Sequence, residues 1–233
     1  MITYKLLTAQ SNKNIKIEIL VLKFDIYRMT KFDQLYMPIR IAIFASGSGS
    51  NAENIFNYFQ AMDDVSISVI LTNNPTAGVI KRAEKMDVPS LVFNREEFYS
   101  TDKIESHLSN EKIDFIVLAG FLWLVPLNLI RLYRNRIVNI HPALLPAFGG
   151  KGYYGDKVHE AVISSRQIIS GITIHHVNEK FDEGAIIFQA ACQVEKSDDA
   201  KSLAKKIHNL EYKYFPVVIE KSIRIYQEKN IEA

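Results

Sequence analysis

The chain has 233 residues, 48% apolar and 23% charged, with 28 Lys and Arg against 26 Asp and Glu, a balance typical of soluble globular proteins that excludes bulk disorder. A formal net charge of +2 is too small to indicate a nucleic-acid or membrane surface, which needs clustered basic residues. The single cysteine, Cys192, excludes an intramolecular disulfide and a multi-thiolate zinc site, and it fits a reducing cytoplasm.

At the N-terminus, Lys5 is followed by only a few apolar residues before the polar stretch Gln10 to Asn14, so a signal peptide is not expected. Ile15 to Phe24 has strand character but stands outside any regular alternation of elements. Met29 and Met37 both precede the first well-patterned strand. Residues 1–36 are therefore read as an extension dispensable to the fold, and 37–233 as a single functional domain of ordinary size.

From there the apolar pattern predicts strand Ile39 to Ala45, helix Asn51 to Ala61, strand Val65 to Thr72 and helix Gly78 to Met86. Strand Ser90 to Phe93, a helix across Glu96 to Leu108, strand Phe115 to Ala119, helix Pro126 to Tyr133 and strand Ile137 to Ile140 follow. The longest apolar run, Phe115 to Ile130, is broken by Gly120, Pro126 and Asn128 and is too short for a membrane span. Next come two strands, Ile172 to Val177 and Ala185 to Val194, joined by Asn178 to Gly184. Helix Asp198 to Tyr212, with Ser197 as its expected N-cap, and a second helix beginning near Pro216 close the chain. Repeated strand-helix-strand units predict an α/β, Rossmann-like, mostly parallel sheet with helices on both faces. The last two strands predict an antiparallel C-terminal addition.

Three sites carry chemical promise. Ser46-Gly47-Ser48-Gly49-Ser50-Asn51-Ala52 lies between a strand and a helix, where exposed N–H groups and the helix N-terminus can hold a phosphate without a lysine. Gly47, Gly49 and Ala52 also match a dinucleotide fingerprint, but the second strand ends Leu71-Thr72-Asn73-Asn74 without the acidic residue that would grip a ribose. A glycine turn that merely connects two elements is the plainer alternative.

In the second site, Asn139 and His141 project from the same side of one strand. An amide donor and an imidazole at a sheet's carboxyl edge can stabilise an oxyanion and move a proton, as formyl transfer to an amine requires. The alternative is a hydrogen-bonded structural histidine. The third site is His175 with Asp182. Asp182 falls in the turn Phe181-Asp182-Glu183-Gly184 and is explained either by turn chemistry or as a carboxylate beside His141 that raises the imidazole pKa. Cys192 sits in an apolar strand and is read as core. His107, His159 and His208 fall on helices without a metal-ligand spacing, so no metal is expected.

These sites, together with LAGFLWLV at 118–125, NIHPALLP at 139–146, SGITIHHV at 170–177 with FDEG after it, and HNLEYKYFP at 208–216, resemble the phosphoribosylglycinamide formyltransferases of the folate-dependent formyltransferase family. The resemblance runs from about Met37 to near Ser222, about four-fifths of the chain. It implies formyl transfer from 10-formyltetrahydrofolate, a co-substrate, to glycinamide ribonucleotide in purine biosynthesis, with small-molecule partners only and no metal. It implies Asn139, His141 and Asp182 as catalytic residues and His175 in support. Gly49, Ser50 and Asn51 would hold the substrate phosphate, with His208 and Glu211 on the ribonucleotide side and Glu211 an acceptor for the substrate amine. The folate would meet Leu122, Trp123, Leu124 and Val125 and the loop Asn178, Glu179, Lys180 and Phe181, with Arg95 toward its tail.

Two features depart from the family pattern. One is the N-terminal extension. The other is the longer glycine-rich segment 148–156, a candidate mobile flap. A cytoplasmic monomer or homodimer is expected. Three alternatives differ in what they need. A formyltetrahydrofolate deformylase would use similar residues on water and normally carries an N-terminal regulatory domain, for which residues 1–36 are too few. A methionyl-tRNA formyltransferase would need a C-terminal RNA-binding domain. A non-catalytic nucleotide-binding module would not need all three polar types.

Overall fold

The structure, a computed structural model, describes residues 38–232. The strand character of Ile15 to Phe24 and the starts at Met29 and Met37 lie outside the described residues. The elements in chain order are β1 Ile39–Phe44, α1 Ser50–Phe59, β2 Val65–Thr72, α2 Gly78–Lys85, β3 Ser90–Val92, α3 Arg95–Tyr99 and α4 Lys103–Asn110. They continue as β4 Phe115–Leu118, α5 Leu127–Leu132, β5 Ile137–His141, α6 Asp156–Ser164, β6 Ile169–His176, β7 Ile186–Gln193 and α7 Ala200–Glu232.

Among the described residues the strands form one sheet in the order β3-β2-β1-β4-β5-β6-β7. The first five strands pair in parallel, and β6 and β7 add antiparallel, as the pattern predicted. Alternation along β1 explains the two-sided core. Ile39, Ile41 and Ile43 pack with α1, α2, α6 and α7, while Ala42 and Phe44 face Phe98, Ile104, Leu108 and Leu129 on the other side. Strand order reverses direction at β1 and β4, and an open α/β sheet leaves its crevice at the carboxyl ends of such strands.

Four details differ from the sequence expectation. The helix expected over Glu96 to Leu108 is two helices. Asn94 caps the first in a reciprocal capping box with Glu97, and the Thr101 hydroxyl then donates to the Glu97 carbonyl, so local side-chain bonds end the helix there. The closing pair of helices is one helix of 33 residues that passes through Pro216. Proline offers no N–H to the Tyr212 carbonyl one turn back, and Asn54 Nδ2 of α1 donates to that carbonyl instead at 3.0 Å. Its N-cap is Asp199 rather than Ser197: Asp199 Oδ1 accepts from the Ser202 N–H at 2.7 Å while Ser202 Oγ accepts from the Asp199 N–H at 3.0 Å. The helix α6 carrying His159 has definite bounds that the glycine-rich segment before it obscured.

Candidate active site

The loop after β1 is shaped by one residue. Gly49 takes φ +78° as the N-cap of α1, and a Cβ there would stand 2.7 Å from the Val79 Cα, so only glycine fits. No side chain caps α1, which leaves its first N–H groups for a ligand. Ser46 ties the loop to its neighbours. Its hydroxyl donates to Asn73 Oδ1 at 2.7 Å and accepts from the Leu122 N–H at 3.1 Å, and its backbone N–H donates to the Gly120 carbonyl. Asn73, which stands where a dinucleotide site would want an acidic residue, thus holds the loop itself.

Strand β5 delivers the second group. Its register sets Asn139 opposite His175 and His141 opposite Thr173. His175 Nδ1 bonds the His176 carbonyl at 2.9 Å, which requires the proton on Nδ1 and leaves Nε2 to accept from Asn139 Nδ2 at 3.0 Å. One amide hydrogen is therefore committed to His175. The other makes a long bond to Asp182 Oδ1 at 3.4 Å, weak enough to be exchanged for an incoming oxyanion.

Asp182, at φ +56°, sits between the two histidines. Its Oδ2 is 3.4 Å from His141 Nδ1 and its Oδ1 is 3.6 Å from His175 Nε2. Burial alone would raise the Asp182 carboxyl, but the imidazoles of His175 and His141 on either side of it and the Gly150 N–H together hold it below the usual carboxylate range. His141 is buried, and its Nε2 donates to the Phe148 carbonyl at 2.7 Å. Burial pushes this imidazole below the ordinary histidine range, and the opposing pull of Asp182 and the Phe148 carbonyl does not overcome it. The raised pKa expected for His141 is therefore corrected. Desolvation outweighs the neighbouring carboxylate, so the resting ring is neutral with its lone pair at Nδ1.

Both backbone contacts come from the glycine-rich segment: the Phe148 carbonyl on His141, and the Gly150 N–H on Asp182 Oδ2 at 2.9 Å. Sequence reasoning missed them because a backbone group carries no residue-type signal. Among the described residues no group of three or more His, Cys, Asp or Glu could hold a metal ion.

One cavity of about 800 Å³ joins these parts. Gly49, Ser50 and Asn51 line it along with Asn139, His141 and Asp182, and His208 and Glu211 of α7 reach it too. Glu211 is buried and its Oε2 accepts from Asn51 Nδ2 at 3.0 Å and from His208 Nδ1 at 2.8 Å. That bond to Glu211 raises the His208 pKa. Leu122, Trp123, Leu124 and Arg95 form another wall, where the Arg95 guanidinium lies 5.0 Å over the Tyr99 ring and 5.8 Å over Trp123. Val125 and Lys180 line a smaller neighbouring cavity of about 50 Å³, and Phe181 lines both. Asn178 and Glu179 line neither. Asn178 Oδ1 instead accepts from the Lys180 N–H at 3.0 Å and holds the turn. Cys192 is half-buried against the core, and burial pushes its thiol up, as a structural cysteine requires.

A doubly wound sheet that gathers an uncapped helix start, an amide donor and a histidine-carboxylate pair at its switch point defines an α/β protein with a polar ligand crevice at the carboxyl ends of its strands. Residues 39–219 match the formyl transferase family. The chain belongs to that family, and several of its relatives are phosphoribosylglycinamide formyltransferases. It is 39% identical over 189 residues to the chloroplastic enzyme of Arabidopsis thaliana, an alignment covering 77% of this chain and 64% of that protein. It is 34% identical to the Bacillus subtilis enzyme, covering 78% of this chain and 93% of the relative. The crystal structure of the Bacillus halodurans phosphoribosylglycinamide formyltransferase superposes with a TM-score of 0.71 at 36% identity, covering 78% of this chain and 94% of that one. A formyltetrahydrofolate deformylase from Pseudomonas syringae, 21% identical with a TM-score of 0.69 over 83% of this chain and 62% of that one, shares the fold alone.

Proposed function

We propose that the protein transfers the formyl group of 10-formyltetrahydrofolate to the amine of glycinamide ribonucleotide. The observation that carries this reading is the meeting of Asn139, His141 and Asp182 in the cavity that also holds the Gly49–Asn51 cradle. The cradle takes the phosphate of the acceptor on the free N–H groups of α1. Glu211 and His208 lie on the acceptor side, and the Leu122–Leu124 wall with Phe181 takes the folate.

The amine nitrogen attacks the formyl carbon, a C–N bond forms, and the carbonyl becomes an oxyanion that accepts from the Asn139 N–H that otherwise makes the long bond to Asp182. The proton shed by the amine passes to His141 Nδ1, neutral at rest. The imidazolium so formed is stabilised by Asp182, ionised beside it. Collapse breaks the bond between the formyl carbon and N10 of the folate, and that nitrogen receives the proton. Neutral in, charged in transit and neutral out, His141 needs the depressed resting pKa that its burial supplies.

The test is to mix the protein with 10-formyltetrahydrofolate with and without glycinamide ribonucleotide and to follow folate release. Acceptor-dependent release is expected. Acceptor-independent release would identify a deformylase, and no release a binding module. The same reading takes residues 37–233 as the formyltransferase domain, so a chain starting at Met37 is expected to fold and to retain turnover.

A further inference from the structure

One buried titratable side chain in the cavity is used by none of these steps. His159, on α6, is 3% exposed and lines the cavity alongside Asn51, His208 and Glu211. Its Nδ1 is buried without a hydrogen-bond partner. A buried N–H without an acceptor costs more than an unpartnered lone pair, so the proton belongs on Nε2, the ring nitrogen left to face the cavity. Burial, with the charge of His208 adding to it, keeps the ring neutral. His159 is thus a fixed, uncharged N–H donor aimed at the acceptor half of the cavity, in a place that also feels the Glu211 carboxylate.

Those two neighbours select a ligand group. A phosphate would meet Glu211 with like charge, and an ammonium could not accept from an N–H donor. A hydroxyl does both jobs, accepting from His159 Nε2 while donating to the carboxylate. We propose that His159 is a specificity-determining residue that reads a sugar hydroxyl of the acceptor, between the phosphate cradle and the reacting amine. This inference rests on the acceptor assigned above. It adds a residue that neither the motifs nor the family resemblance singled out.

The test compares glycinamide ribonucleotide with its 2′-deoxy and 3′-deoxy analogues in the full chain and in His159→Leu, reading both Kd by calorimetry and kcat/KM. The intact chain is expected to prefer the natural acceptor over one of the analogues by roughly five- to tenfold, the worth of one neutral hydrogen bond. His159→Leu should bind both alike, having lost affinity for the natural acceptor only. His159→Gln places an amide N–H near the Nε2 position and should restore the preference, whereas His159→Asn falls short of it and should not. If the leucine variant does not fold, the glutamine and asparagine variants carry the same comparison. A leucine or asparagine variant that discriminates as well as the intact chain, or an intact chain that ignores both hydroxyls, overturns the proposal. Binding of the acceptor without transfer would count against the reaction instead, and it would leave the affinity comparison intact.

Discussion

The two ends of the cavity are built from different materials. The cradle at Gly49 to Asn51 is backbone, shaped by one left-handed glycine and a helix start without a side-chain cap. The cluster at Asn139, His141, His175 and Asp182 is side chains, the two histidines buried and the other two half-buried, bonded to one another and to the carbonyl and N–H of a loop. A backbone site offers fixed partial charge, suited to a group that stays a dianion throughout a reaction. A side-chain site can change protonation, which a reacting carbonyl demands.

That contrast orders the effects of substitution. The largest is expected at the reacting end. Asn139→Ala removes the oxyanion donor and should lower kcat by two to three decades, about 3 kcal/mol, with little change in acceptor KM. A variant that keeps its turnover would remove Asn139 from the chemistry. At the cradle, Gly49→Ala should act on binding instead. A side chain at φ +78° costs about 1–2 kcal/mol on its own, and the approach to Val79 forces the loop to move. Acceptor KM should therefore rise by roughly tenfold or more, and unchanged KM would show that the phosphate sits elsewhere.

A subtler effect separates the ends by pH. If the reaction begins with neutral His141, kcat/KM rises with pH through the His141 pKa, which burial places below the ordinary histidine value. Asp182→Asn removes a charge that raises that pKa, so the limb remaining in the slower variant should shift to lower pH. A shift to higher pH would contradict the assignment. The smallest effect is on stability. His141, His159 and His176 all have pKa values lowered chiefly by burial. Their contribution to folding is complete above the ordinary histidine value of about 6.5 and is lost as pH falls through the depressed values. Thermal melting should show Tm declining from neutral pH toward pH 5, and less steeply in His159→Gln.

The backbone end was the more legible in the sequence. A glycine pattern between a strand and a helix announces its own geometry, and the parallel core followed from apolar alternation, since each strand obeys a local period. The reacting end was half legible. Asn139 and His141 share a side because a strand repeats every two residues, but that Asn139 would meet His175 depended on the register of β5 with β6, across a long connection. The His141 pKa was misjudged because depth of burial is a property of the packed fold, whereas a nearby aspartate can be guessed from the chain. Pro216 misled for a related reason: the helix survives it through Asn54, a donor on another helix. His159 showed no signal at all, since its meaning lies in what it does not touch.

The most direct measurement is a crystal structure with glycinamide ribonucleotide and a non-reactive 10-substituted tetrahydrofolate bound together. The account predicts the phosphate on the N–H groups at Gly49 to Asn51 and the amine and N10 flanking a point within hydrogen-bond reach of Asn139 Nδ2, with His141 alongside. A phosphate held away from that loop, or a folate whose N10 lies far from Asn139, would contradict it.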